Sequence, residues 1–287
     1  MFESPLLCGR AVSVSLLLVA FSAVAQTPAP GVTATELVRQ TMAHELAAAN
    51  ASGHYMYRIE KQTQHGSTIR DTVETRKWLI SRLVLKNGQP MAPAQRQKED
   101  ERLRDLLTNP ASLQKLQIQE HKDEALARRM IKYFPEAFVF YYDGTEKESS
   151  SRKQILVKFR PRASVTSDSR EMRVLQGMEG TMLIDPVDER LLRVKAALFR
   201  DVDFGWGVFC RIRRGGSFLV EQQGVGSDRW AITTLSMHYS SRIGLFVNTR
   251  TDSVSNTSNF RRMSNDLTLQ QGVELLLNPP PMTWNIH

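Results

Sequence analysis

The segment from Gly177 to Gln223 constrains this chain more than any other, because it reads as antiparallel sheet almost from end to end. Thr181 to Asp185 alternates faces, Pro186 to Glu189 supplies turn chemistry, and Leu191 to Phe199 forms a second strand. The alternation puts Leu192, Val194, Ala196 and Leu198 on one side of that strand and Arg193 and Lys195 on the other. Trp206, Phe209 and Ile212 then recur at three-residue spacing, which predicts one or two helical turns ended by Gly215-Gly216. Phe218 to Gln223 returns to strand. Nothing in the segment is a reaction motif; its residues suit a scaffold that presents a binding surface.

The N-terminus predicts export. Arg10 precedes the apolar run Ala11 to Phe21, and Ala23-Val24-Ala25 forms a cleavage signature before Gln26, so residues 1–25 read as a signal peptide. That run is too short to cross a bilayer of about 30 Å, and no later segment approaches the roughly 20 apolar residues a spanning helix needs. The expected product is soluble, in the periplasm or secreted. Cys8 precedes the apolar run, whereas a lipid-anchoring cysteine would follow it. Cleavage leaves Cys210 alone, so no intramolecular disulfide is expected and the core must supply the stability.

The net charge of +8 carries a second expectation. Nucleic acid is an unsuitable partner for an exported chain, whereas an anionic membrane surface or an acidic protein partner suits it. Acidic residues are interspersed with the basic ones, which also fits a plain solvated surface. The oligomeric state is not written in the sequence.

Residues 26–32 carry Pro28 and Pro30 and read as a short linker, followed by a single domain over 33–278 and an extended tail over 279–287. Thr33 and Glu36 form a capping box for a helix with the stripe Leu37, Val38, Met42 and Leu46. Tyr55 to Thr63 and Thr68 to Leu85 read as strands, turned at Asn87-Gly88. A helical insert follows at about 92–134, broken at Asn109-Pro110. Leu126, Met130 and Phe134 share one face of it, which makes the insert either a solvated arm or a movable lid. Phe138, Phe140 and Tyr142 line one face of a strand closed by Asp143-Gly144, with Ile155 to Phe159 as its partner and a short helix over Ser167 to Gln176. Trp230 to Tyr239 and Gly244 to Arg250 read as strands joined by Ser240 to Arg242, and Thr268 and Gln271 cap a helix through Leu275.

The chemistry-bearing residues form no convincing site. Six histidines are scattered without ligand spacing, so neither a metal nor a cofactor is expected. Asp203-Phe204-Gly205 lacks the companion motifs of a kinase and reads as a strand-end turn. Gly205-Trp206-Gly207 lacks the βαβ context of a dinucleotide loop. Cys210 could meet His238 as nucleophile and base, but beside Phe209 and Ile212 it reads better as a small buried hydrophobe. Tyr141, Trp206 and Phe209 with Arg211, Arg213 and Arg214 form an aromatic and basic group suited to acyl chains and anionic heads. No catalytic residue is expected.

The series FVFYYDG at 138–144, GMEGTMLIDP at 177–186, DVDFGWGVFCRI at 201–212 and GGSF at 215–218 resembles a family of exported bacterial proteins of uncharacterised role. Their layout is similar to the lipoprotein carriers of the LolA and LolB type and to RseB-like sensors. The resemblance spans about Tyr55 to Met263 and transfers no functional residue. It implies an α+β fold: a strongly curved antiparallel sheet, an unclosed β-barrel, with helices plugging or covering the concave face. It also implies a non-catalytic lipid or lipoprotein acyl-chain carrier or sensor. The expected cavity residues are Phe138, Phe140, Tyr142, Leu192, Val194, Leu198, Trp206 and Phe209, under a lid bearing Leu126, Met130 and Phe134. The alternative is a structural or protein-recognition module of the cell envelope whose core is filled by its own helices.

Overall fold

The computed structural model describes residues 32–51, 53–147, 153–163, 169–204, 210–226, 229–243 and 247–279. The segment read as a signal peptide, nearly all of the segment read as a linker, the residues beyond Pro279, and Trp206 and Phe209 lie outside the described residues. The described residues open with α1 (Ala34–Ala51), β1 (Tyr55–Thr63), β2 (Gly66–Glu74), β3 (Leu79–Lys86) and the short β4 (Gln89–Pro90). The insert is α2 (Pro93–Thr108) and α3 (Pro110–Ala137). Next come β5 (Phe138–Lys147), β6 (Lys153–Pro161), α4 (Arg170–Gln176), β7 (Met178–Asp185), β8 (Arg190–Leu198), β9 (Val202–Phe204) and β10 (Cys210–Ile212). β11 (Ser217–Val225), β12 (Arg229–Ile243), β13 (Val247–Arg262) and α5 (Leu269–Leu277) complete it.

The fold is α+β, with one antiparallel sheet in the order β4-β3-β2-β1-β13-β12-β11-β8-β7-β6-β5, and β10 and β9 attached beside β12. β5 and β4 stand at its two ends without pairing to each other, so the curved sheet stays unclosed. Local chemistry explains the element ends. Asn87 and Gly88 both take positive φ, 52° and 72°, as a two-residue hairpin turn of matching twist requires. Thr268 and Gln271 make the full reciprocal cap on α5. Asn109 closes α2 by donating its backbone N–H to Asp105, then caps α3 by accepting from Ala111 N–H at 3.0 Å, with Pro110 as the first helical residue.

Two cores form. The first gathers Val38 and Met42 of α1, Met172 and Leu175 of α4, and Phe138, Val157, Phe159, Met182, Ile184 and Leu198 from β5 to β8. The second gathers Leu103 and Leu106 of α2 and Val273 and Leu276 of α5 against Met56, Val73 and Ile80 of β1 to β3. α3 serves both, with Leu113 and Leu116 on the second core and Met130 and Phe134 on the first.

Several sequence expectations are corrected. Cys210 and Ile212 belong to a strand paired with β9 and β12, so the expected helical turns do not extend to Ile212; Trp206 and Phe209 of that spacing lie outside the described residues. Asp143-Gly144 does not end β5: Gly144, at φ 112°, follows a register shift and the strand runs on to Lys147. Ser240 to Arg242 pair with Asn248 to Arg250 inside the β12–β13 ladder instead of joining the two strands. A register shift in the β7–β8 pair sets Leu191 opposite Ile184, so Leu191 packs on the first core beside Val194 and Leu192 does not join them.

Candidate functional site

Of the aromatic residues expected to line an apolar cavity, Phe138 and Phe140 are brought together with Phe134 and Phe159, and the rings fill the space between them. Phe138 and Phe140 alternate onto one face of β5 and are buried. Phe138 meets Phe159 of β6 with centroids 4.7 Å apart and rings near perpendicular. Phe134, on the end of α3, stands 4.8 Å from Phe138, 5.2 Å from Phe159 and 6.0 Å from Phe140. These edge-to-face and tilted contacts are the favoured aromatic geometries, so the cluster is a packed core. Leu198 is buried in it, and Val194 packs on its margin. Tyr142 lies further along β5, where its hydroxyl donates to Val32 O at 2.8 Å and partial burial raises its pKa.

The residues expected on a lid divide. Phe134 and Met130 pack on the first core, while Leu126 is 46 % exposed. Leu126 and Met130 border a groove of about 330 Å3 whose other wall is Arg170, Glu171 and Val174 of α4. Arg129 bridges to Glu171 at 2.9 Å beside it.

A larger cavity, of about 730 Å3, opens between β3, β4, the first turns of α2 and the end of α5. Arg58 of β1 stands opposite Asp71 of β2, and Asp71 opposite Arg82 of β3. Arg58 donates to both Asp71 oxygens, at 2.7 and 2.9 Å, and Arg82 donates to Asp100 of α2 at 2.5 Å. The result is a ladder of alternating charge. The other Arg82 nitrogen donates to the Leu276 and Leu277 carbonyls, closing the C-terminal end of α5. Leu83, Leu85, Met91 and Leu277 supply the apolar part of the wall, and Arg96 stands on the same wall. The cavity therefore offers hydrocarbon and paired charge together, and sequence reading did not single it out. A signal was present: in LISRLVLK, Arg82 takes a position between Ile80 and Val84, where alternation calls for an apolar residue.

Two part-buried polar knots also hold the sheet. Glu45 of α1 accepts from Leu191 N–H at 3.0 Å, Arg190 at 3.1 Å and Gln222 at 2.8 Å, and Arg190 lies over the Trp230 ring. Glu74 accepts from the Tyr55 N–H at 3.0 Å and from Arg229, which lies over the Tyr55 ring. Burial, reinforced by the Glu74 carboxylate, pushes the Tyr57 phenol well above its ordinary range.

Cys210 and His238 are kept apart. The partner of Cys210 on β12 is Ile243, five residues along from His238, or about 16 Å at strand rise. Among the described residues no group of three or more His, Cys, Asp or Glu side chains is placed to hold a metal ion. None of the described helices is long and apolar enough to cross a membrane.

No family model matches this chain, and no curated protein does. A solved structure similar to it is that of MucB in complex with MucA(peri), at 8 % identity and a TM-score of 0.21, covering 84 % of this chain and 97 % of the other. At that level the fold is read from this chain's own topology.

Proposed function

We propose that this chain is a recognition module of the cell envelope, a curved open sheet filled by its own helices, which binds a segment of a protein partner in the cavity above the Arg58–Asp71–Arg82–Asp100 ladder. The observation that supports it is the contrast between the two regions. Where an acyl chain was expected, four phenyl rings occupy the space. The larger cavity is walled by leucines and arginine–aspartate pairs, a mixture that suits a peptide's backbone amides and side chains. Burying an acyl chain there would strip water from charged groups and return no hydrogen bonds. Incorporating a photo-crosslinking residue at Met91 in the native host tests the reading. A discrete protein adduct, lost on Arg82→Ala, is the expected result; adducts to lipid only would overturn it.

The acyl-chain reading is kept as the second, because the groove beside Leu126 and Met130 is apolar and sits at the margin of the aromatic core. On that reading, α3 lifts from the sheet and methylenes replace Phe134 at about 0.8 kcal/mol each. Mass spectrometry of an organic extract, with hydrogen exchange at Leu126–Phe134 with and without myristate, separates the two. Slowed exchange with lipid and a fatty acid in the extract would favour the carrier; neither would leave the recognition module standing.

A further inference from the structure

Ser236, His238 and Asp252 form a relay of hydrogen bonds on the sheet. Ser236 and His238 are two residues apart on β12 and so share a face, and His238 stands directly opposite Asp252 on β13. Ser236 Oγ lies 2.9 Å from His238 Nε2, and His238 Nδ1 lies 3.0 Å from Asp252 Oδ1. The opposite face of β12 carries Met237, whose partner Phe218 packs on the first core, so the relay faces away from that core. His238 remains 46 % exposed.

The relay is polarised in one direction. Hydrogen bonds from His238 and Arg250 hold the Asp252 carboxyl below its usual range, so it is an acceptor only. The neutral imidazole then carries its proton on Nδ1, donated to Asp252, and turns the Nε2 lone pair to the Ser236 hydroxyl. Nucleophile, base and orienting carboxylate stand in the order that serine acyl transfer uses. Rigid ladder neighbours carry all three, which fixes their geometry better than loops would.

Ser236 also borders an open trough of about 530 Å3. Ser236, Leu219, Lys195 and Thr181 stand in one register row across β12, β11, β8 and β7. Leu219 and Ala197 give the trough an apolar floor, and Lys158, Arg160 and Lys195 together with Glu179 bring charge of both signs to it, with positive charge in excess.

We propose that Ser236 is the nucleophile of an esterase site for short-chain carboxylic esters. Its Oγ adds to the ester carbonyl carbon as its proton passes to His238 Nε2. The carbonyl oxygen takes the electron pair as a tetrahedral oxyanion, and Lys195, two strands from Ser236 in the same register row, is the nearer of the trough lysines. Collapse breaks the bond to the alcohol oxygen, which takes the proton from His238 and leaves, with the acyl group on Ser236. Water then attacks the acyl carbon, giving its proton to His238; the acid departs and Ser236 recovers its proton. The sum is ester and water to acid and alcohol. This activity is separate from the recognition role and does not rest on it.

The test uses the full purified chain with a fluorophosphonate probe and p-nitrophenyl acetate. The probe is expected on the Ser236 peptide by mass. Ser236→Ala should abolish both labelling and hydrolysis, and His238→Ala should lower the rate about 100-fold or more. Melting curves check that both variants stay folded. Labelling of the wild-type chain needs no variant at all: an unmodified Ser236, or hydrolysis that survives Ser236→Ala, would overturn the proposal.

Discussion

The Phe134 ring lies 4.8 Å from that of Phe138, so the last turns of α3 are fastened to the sheet's end strand by aromatic contact. Phe134→Ala leaves a hole bordered by Phe138, Phe140 and Phe159, and should cost about 3 kcal/mol. Urea unfolding gives the value. Hydrogen exchange should quicken over Met130 to Ala137 and stay unchanged over Leu113 to Leu116, which pack on the other core. Equal exchange in the parent and Phe134→Ala chains would mean that the ring does not anchor the helix.

Arg82 joins three elements at once, donating from β3 to Asp100 of α2 and to the closing carbonyls of α5. Arg82→Ala strands a carboxylate and two carbonyls in a half-buried site, with an expected loss of about 3 kcal/mol. A double-mutant cycle with Asp100→Ala should show a coupling of about 1 to 2 kcal/mol. Coupling near zero would show that the pair is held by water as well as by each other.

The expectations that succeeded rested on local chemistry with a single outcome. Asn87-Gly88, Asn109-Pro110 and the Thr268–Gln271 box each mark a turn or helix end whose backbone demands few other residues meet, and each is found where it was read. The failures fall where the local pattern is silent. β13 sits in the middle of the sheet, yet Thr251 to Asn259 is almost wholly Ser, Thr, Asn and Asp, so no apolar alternation announces it past Arg250. Its pairing with β1 and β12 is a tertiary fact, set by the two strands that enclose it. The Ser236–His238–Asp252 relay was illegible for the same reason, since Asp252 reaches His238 only through that register. The first core was legible as a list of phenylalanines on one strand face. That α3 would supply Phe134 to fill the gap depends on how far the helix runs, which spacing alone does not state.

Gly180 is a position where bulk is forbidden. A Cβ there would stand 1.9 Å from the Lys195 carbonyl oxygen and 2.9 Å from the Ala196 Cα, both backbone atoms of the neighbouring strand. No rotamer relieves that contact, so β7 and β8 must separate. Gly180→Ala should cost about 3 kcal/mol, whereas Gly224→Ala, with only ordinary contacts to the Trp230 ring, should stay within about 1 kcal/mol. Thermal melts of the two variants side by side decide it, and similar losses would refute the strand-contact argument.

Glu99 and Glu120 give stability opposite dependences on pH. Burial alone would raise the Glu99 carboxyl, but hydrogen bonds from Arg102 and the Leu83 N–H outweigh it and hold the group below its usual value. Its contribution is therefore present above the unfolded value of about 4.3 and fades as pH falls through the lower folded value. For Glu120 burial wins: its pKa is raised although Leu79 N–H donates to it at 2.7 Å. The ionised form then costs stability at neutral pH, and that cost disappears as pH falls below the raised value. Glu99→Gln should lose about 1 kcal/mol at pH 7 and little at pH 3. Glu120→Gln keeps an oxygen for Leu79 and sheds the buried charge, so it should match or exceed the parent at pH 7, with the advantage gone at pH 3. Urea midpoints at the two pH values measure both, and a Glu120→Gln variant weaker than the parent at pH 7 would show that the carboxylate is stabilising in its ionised form.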